Sequence, residues 1–203
     1  MLAIFLKTLP FFALIGTGWL AGRLRLFSAE ALRAVRAGKF DRRSARSLPG
    51  QLEGANRLLD VGGGVGFLAL MALRDDPRRV VMLQEDRPGL AAAARIIHCR
   101  NGVEDSARLK VVDGPLRLGS DRGAQASGLA ACLRDFRPDT LRLSRPDAVP
   151  PEMLAAMPLD TVRRVIVATK DTDLQATYAA ALAPSGFNGK ALEAGTGSLL
   201  FVR

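Results

Sequence analysis

The stretch LLDVGGGVG, residues 58–66, places four glycines in nine positions, directly after an aspartate. Glycine loses more conformational freedom on folding than any other residue, so such a cluster indicates a special turn or a ligand close to the backbone. Gly62, Gly64 and Gly66 alternate along the chain, allow a tight turn and place no side chains of their own over it. At the start of a helix, such a loop can hold a nucleotide-like ligand. A sharp turn without a ligand is the alternative interpretation.

Two neighbouring features narrow the kind of ligand. No Gly-Lys-Ser/Thr follows the glycines, which excludes a phosphate-binding P-loop. Residues 64–69 fit the dinucleotide pattern G-x-G-x-x-A, but Asp60 makes D-x-G-x-G-x-G the better description. Glu85 follows Gly66 by about 20 residues, at the end of the next apolar run, where a carboxylate can accept hydrogen bonds from a ribose diol. A solvated charge at the end of a strand is the plainer interpretation of Glu85.

Short apolar runs alternate with helical stretches through the rest of the chain. This alternation predicts an α/β fold with a doubly wound, mostly parallel sheet covered by helices on both faces. Seven strands are expected, the last two forming a closing hairpin around Gly195–Gly197. The predicted strands cover 57–62, 78–86, 108–114, 139–145, 161–169 and the two arms of the hairpin; the predicted helices cover 67–76, 87–102, 129–136, 150–157 and 173–186. Ligands of such sheets bind at the carboxyl ends of the strands.

Several stretches of the chain resemble the motifs of a known family. LLDVGGGVG resembles the first motif of class I S-adenosylmethionine-dependent methyltransferases, and VVMLQED resembles their second motif. RPGLAAAARIIHCRNGV, residues 87–103, is similar to the FkbM-type branch, and the closing hairpin is similar to the extra antiparallel strand of this Rossmann-like fold. The resemblance spans roughly residues 50–203 and implies methyl transfer from S-adenosylmethionine to an oxygen of a small molecule or glycan.

The resemblance also implies roles for individual residues. The loop against the methionine part and the ribose would consist of Asp60, Gly62, Gly64 and Gly66. Glu85 would hold the ribose hydroxyls, with Asp86 and Arg87 flanking the adenine. Asp113, at the end of the third predicted strand, would accept a hydrogen bond from the adenine amino group, although an ordinary turn aspartate explains VVDG equally well.

The residues expected to catalyse the transfer match the family pattern less well than the cofactor-binding motifs do. FkbM-type enzymes carry an acidic motif, roughly Asp-x-Glu-Gly, after the fourth strand, where this chain reads LRLSRPDAV and offers only Asp147. His98 is expected away from the strand ends, as a surface or packing residue. A non-catalytic or hybrid membrane protein is therefore an alternative. An NAD(P)-dependent oxidoreductase is a second one, but Tyr178, the single tyrosine, has no lysine four residues later.

Residues 1–22 are apolar almost throughout and predict a transmembrane helix, with a signal peptide or a buried helix as alternatives. Eight basic and two acidic side chains follow in residues 23–46, which places the main domain on the cytoplasmic side of the membrane. Residues 1–40 resemble the first transmembrane helix of auxin-efflux-carrier-type transporters. The expected location is the inner or cytoplasmic membrane, or the cytoplasm if this segment is not natively joined to the rest.

The net charge of +9 does not favour a nucleic-acid partner, because most of the excess lies in residues 23–46. Cys99 and Cys132 provide neither a disulfide framework nor a metal site, and no metal is expected. The predicted organisation is a membrane helix (1–22), a basic linker (23–49) and a methyltransferase-like domain (50–203). The sequence leaves the methyl acceptor and the oligomeric state open.

Overall fold

The computed structural model describes residues 42–103, 107–114, 122–191 and 198–203. Its helices are α1 (Arg42–Gln51), α2 (Phe67–Asp75), α3 (Pro88–Arg100), α4 (Arg122–Phe136), α5 (Pro151–Ala155) and α6 (Thr172–Leu182). Its strands are β1 (Arg57–Val61), β2 (Val80–Glu85), β3 (Leu109–Asp113), β4 (Thr140–Leu143), β5 (Arg164–Val167), β6 (Asn188–Ala191) and β7 (Leu199–Val202). Two 3₁₀ turns cover Pro146–Ala148 and Ala183–Ser185.

The seven strands form one sheet in the order β3-β2-β1-β4-β5-β7-β6. All neighbours from β3 to β5 are parallel, and β7 runs antiparallel to both β5 and β6. The predicted mostly parallel, seven-stranded sheet is thereby confirmed. The chain proceeds outward from β1 to β3 and then returns to β4 on the other side of β1. The sheet therefore has its topological switch point between β1 and β4, where ligands of open α/β sheets bind.

Apolar side chains on both faces explain why the central strands are buried. In β1, Leu59 and Val61 point into one core, which α4, α5 and α6 cover, whereas Leu58 points into the other. That second core contains Val81 and Ile166 of the sheet and is closed by α1 and α2. Because both faces are covered, the central strands are mainly apolar, and Asp60 and Arg142 are polar side chains buried within them.

Helix α1 spans the predicted start of the methyltransferase-like domain. The sequence places the boundary between the linker (23–49) and the domain (50–203) at residue 50. In the structure α1 crosses that position, and Leu48 and Leu52 are buried against α2. Helix α4 is also longer than the predicted 129–136, because its first turns consist of small and polar residues with little apolar periodicity.

The N-terminal prediction falls on residues that the structure does not describe. The expected membrane helix, residues 1–22, and residues 23–41 of the basic segment lie outside the described ranges. Among the helices of residues 42–203 that are described, none has both the length and the apolar character needed to cross a membrane.

Candidate functional site

The glycine loop joins β1 to α2 at the switch point. Gly62, Gly64 and Gly66 have φ angles of 71°, 64° and 74°, in the left-handed region that side chains disfavour. A Cβ at Gly63 would lie 2.4 Å from Asp60 Oδ2, and one at Gly66 would lie 2.4 Å from His98 Cε1. A Cβ at Gly64 would meet nothing within 4 Å. The loop is therefore packed tightly on its inner side and open at Gly64.

Glu85 ties the end of β2 to this loop. Its buried carboxylate accepts a hydrogen bond from the backbone N–H of Gly64, with 2.7 Å between N and Oε2. Arg87 donates to the same carboxylate from Nε to Oε1 at 2.6 Å and from Nη2 to Oε2 at 3.0 Å. Burial by itself would raise the pKa of Glu85, but the hydrogen bonds and charge of Arg87 outweigh it and lower the pKa. The group is thus a carboxylate at neutral pH.

Asp86 and Arg145 form a second ion pair across the loop. Arg145 follows β4, and Asp86 is the first residue after β2. Nη1 of Arg145 lies 2.7 Å from Oδ1 of Asp86. Its aliphatic stem rests on Gly62, where an added Cβ would stand 2.7 Å from the Cβ of Arg145. Burial and the neighbouring carboxylate of Glu85 raise the pKa of Asp86, and the charge of Arg145 offsets part of this rise.

Asp60 lies within β1 and is fully buried beneath the loop. Its Oδ1 accepts a hydrogen bond from Ser144 and lies 3.4 Å from Nη1 of Arg142, which also donates to Ser144. Its Oδ2 has no hydrogen-bond partner among the described residues. Asp60 is therefore the buried acid of a three-residue network between β1 and β4, and the oxygen without a partner is the one that faces Gly63.

The structure corrects the expected position of His98. Of the two expected alternatives, surface or packing, the residue is a buried packing residue. Its ring touches the loop at Gly66, however, so it does not lie away from the strand ends. Its Nδ1 lies 2.7 Å from the carbonyl oxygen of Ala94 in the same helix. Burial lowers its pKa, and the hydrogen bond to Ala94 opposes that shift only in part. A neutral imidazole thus supports the loop from below.

The two remaining predicted site residues are exposed. Asp113 ends β3 next to Glu85 in the strand register, and it makes no ion pair with the described residues. Asp147 lies in the 3₁₀ turn after β4, and 57% of its side chain is exposed. Its Oδ2 lies 3.7 Å from Nη2 of Arg145. The structure thus brings Asp60, the glycines, Glu85 and Asp86 together and places Asp113 and Asp147 at the margins.

Sequence reasoning missed the contribution of β4. Arg142, Ser144 and Arg145 all contact the predicted site, and all three belong to the segment LRLSR. The available signal was Arg142 within a central strand, with Ser144 directly after that strand, because polar side chains in a buried strand need buried partners. Within the described residues, no cluster of His, Cys, Asp or Glu could hold a metal ion.

Solved structures with the same fold are methyltransferases. An O-methyltransferase from Bacillus cereus in complex with SAH superposes with a TM-score of 0.63 at 15% identity, covering 94% of this chain and 90% of that one. A proposed caffeoyl-CoA O-methyltransferase from Staphylococcus aureus gives 0.62 at 10% identity, covering 93% and 99%. Precorrin-6y C5,15-methyltransferase from Geobacter metallireducens gives 0.56 at 11% identity, covering 78% and 84%. At these identities the likeness defines the fold class.

No protein-family model matches the chain, and a comparison with curated proteins found no match. The chain thus has the fold of class I S-adenosylmethionine-dependent methyltransferases. The candidate site residues are supported by the geometry described above and not by these comparisons.

Proposed function

We propose that the chain is an S-adenosylmethionine-dependent methyltransferase whose cofactor lies over the glycine loop at the carboxyl edge of the sheet. The hydrogen bond from Gly64 N to Glu85 Oε2 carries this proposal. It joins the glycine loop after β1 to the buried acid at the end of β2, beside the switch point between β1 and β4. A nucleoside needs both features, an open backbone surface for its sugar and a carboxylate for its hydroxyls.

The residues present fit such a cofactor. Gly64 leaves open space above the loop, Glu85 offers a carboxylate at neutral pH, and Asp113 stands at the next strand end for the adenine amino group. Asp60 lies buried below the loop, with Nη1 of Arg142 at 3.4 Å from its Oδ1 and no hydrogen-bond partner for its Oδ2 among the described residues. When bound, the cofactor supplies a methyl group already activated on a sulfonium sulfur. The protein then contributes binding and alignment.

The acceptor that fits best is an oxygen of a small molecule. In this proposal the nucleoside of the cofactor lies at the ends of β2 and β3, next to Glu85 and Asp113. The methyl acceptor would then lie on the other side of the loop, beyond the end of β4. Asp147 is the exposed carboxylate there, at 3.7 Å from Arg145, and it would accept the proton of an acceptor hydroxyl. Alignment of the acceptor with an activated methyl group supplies the rest of the rate enhancement. A glycan acceptor, as the FkbM resemblance implies, remains part of this proposal.

The proposed location follows from the N-terminal sequence. A transmembrane helix over residues 1–22, followed by the basic segment, would hold the enzyme at the inner or cytoplasmic membrane with its domain in the cytoplasm. If that segment is not natively joined to the rest, the location becomes the cytoplasm.

Calorimetric titration of the full chain with S-adenosylhomocysteine, and separately with NADH, tests the cofactor. We expect a Kd on the order of micromolar for the first ligand only. Glu85→Gln should weaken this binding, whereas Asp160→Asn, at an exposed site before β5, should not change it. Absence of binding in a protein with a cooperative unfolding transition would contradict the proposal. Binding of NADH alone would favour an oxidoreductase, and cofactor binding without transfer to any acceptor would favour a non-catalytic protein.

A further inference from the structure

The hydrogen bonds around Glu85 leave no room for a ribose as they stand. A carboxylate accepts about four hydrogen bonds, two on each oxygen. Oε1 accepts from the backbone N and the Nε of Arg87, at 3.1 and 2.6 Å. Oε2 accepts from the backbone N of Gly64 and the Nη2 of Arg87, at 2.7 and 3.0 Å. All the acceptor positions are therefore used by groups of the protein itself.

These bonds divide into two kinds. The two backbone N–H groups belong to the loop after β1 and to the start of α3, so they stay in place while these elements are folded. The other two come from one guanidinium, on a side chain that is 49% exposed while its carboxylate partner is 0% exposed. The guanidinium can leave for water by side-chain rotation alone. Its departure would expose one acceptor position on each oxygen of Glu85.

A guanidinium and a ribose diol both present a pair of hydrogen-bond donors to the carboxylate of Glu85. The Nε and Nη2 of Arg87, which are bonded to the same carbon, are two parallel donors, the arrangement in which arginine recognises a carboxylate. The 2′ and 3′ hydroxyls of a ribose are also two adjacent donors, and they need the same two acceptor positions. Both cannot be satisfied at once.

We propose that Arg87 is an internal competitor of the cofactor, whose guanidinium holds the ribose-binding positions of Glu85 and is displaced into solvent when a nucleoside binds. This inference rests on the function proposed above. It assigns to Arg87 a role opposite to that of a residue flanking the adenine, because the side chain would lower the affinity for cofactor rather than raise it. The exchange keeps Glu85 ionised and fully bonded in both states, which avoids leaving a buried charge without partners.

The test compares Arg87→Met, which keeps a long apolar stem without donors, with Arg100→Met, an exposed arginine in the last turn of the same helix. Affinities of the full-length proteins for S-adenosylhomocysteine, adenosine and 2′-deoxyadenosine are measured by calorimetry. Chemical unfolding without ligand is measured alongside. We expect Arg87→Met to bind S-adenosylhomocysteine and adenosine about tenfold more tightly, since it removes a charged two-donor competitor. It should bind 2′-deoxyadenosine with a smaller gain and unfold at lower denaturant concentration, and Arg100→Met should match the wild type.

Tighter ligand binding together with lower stability in Arg87→Met would distinguish competition from a purely structural role. Equal or weaker binding by Arg87→Met, with wild-type binding intact, would overturn the competitor role and leave the proposed cofactor in place. An equal gain for adenosine and 2′-deoxyadenosine would also overturn it, because the competition would then not involve the diol. If the wild type and all variants fold but bind no nucleoside, the proposed function itself fails and this inference falls with it.

Discussion

The guanidinium of Arg145 reaches Asp86 at 2.7 Å and its stem lies on Gly62, so one side chain joins the ends of β4 and β2 over the end of β1. The sheet order β2-β1-β4 makes this bridge possible, because the three carboxyl ends lie side by side. The pair lies at the switch point and is partly shielded from water, with Arg145 19% and Asp86 5% exposed in their side chains. The contribution of this ion pair to the stability of the fold can be measured separately from that of the glycine loop.

The first prediction concerns that ion pair. Arg145→Met should lower the free energy of unfolding by about 1–3 kcal/mol, because it leaves the carboxylate of Asp86 without its partner. Asp86→Asn combined with Arg145→Met should recover most of that loss, since the uncompensated charge is gone. Denaturant unfolding of the two single variants and the double variant measures the coupling. Strictly additive losses would show that the two residues do not interact energetically.

The second prediction compares two glycines with the same backbone conformation. Gly62 and Gly64 have φ angles of 71° and 64°, so alanine is disfavoured at both. Only at Gly62 would the new Cβ also collide with Arg145, at 2.7 Å. Gly62→Ala should therefore destabilise the fold by about 1–3 kcal/mol more than Gly64→Ala does. Equal losses in thermal or denaturant unfolding would mean that Arg145 moves aside without cost.

The third prediction concerns cofactor binding at the open side of the loop. Gly64→Asp should abolish binding of S-adenosylhomocysteine, because it places bulk and negative charge where the nucleoside would lie, beside the carboxylate of Glu85. The protein should remain folded, since a Cβ at this position meets nothing within 4 Å. Gly64→Ala is the matched control for backbone strain and should bind more weakly than the wild type but measurably. Wild-type affinity in Gly64→Asp would show that the ligand does not lie on the loop.

The fourth prediction is a pH dependence from the single histidine of the chain. Burial lowers the pKa of His98 in the folded state, so the unfolded state binds a proton more readily as the pH falls below about 6.5. Folding stability should therefore decrease between pH 7.5 and 5.5, by up to about 1.4 kcal/mol per pH unit. His98→Asn keeps a donor near Ala94 and should remove this slope. A decrease of the same size in the variant would assign the slope to groups other than the histidine; Asp86 would act in the opposite direction, because its raised pKa favours proton uptake by the folded state.

The sequence by itself determined the fold class and the position of the loop. Apolar runs separated by helical stretches indicate a covered parallel sheet, because strands that are buried on both faces carry mainly apolar residues. The glycine pattern and the distance to Glu85 along the chain are local features, and the structure joins the loop and the acid by one hydrogen bond. Helix α4 was predicted too short because its first turns lack apolar periodicity, so local pattern carries little signal there.

Only the tertiary structure decided what surrounds those residues. Asp60 meets Ser144 and Arg142 through the pairing of β1 with β4, across more than 80 residues of chain, and no local pattern encodes such a contact. The same holds for Arg145 over Gly62 and for His98 under Gly66. Arg87 on Glu85 is local in sequence, but the Gly64 N–H that uses another acceptor position comes from a different strand end. Side-chain competition for one buried carboxylate depends on distances in space, which the order of residues does not specify.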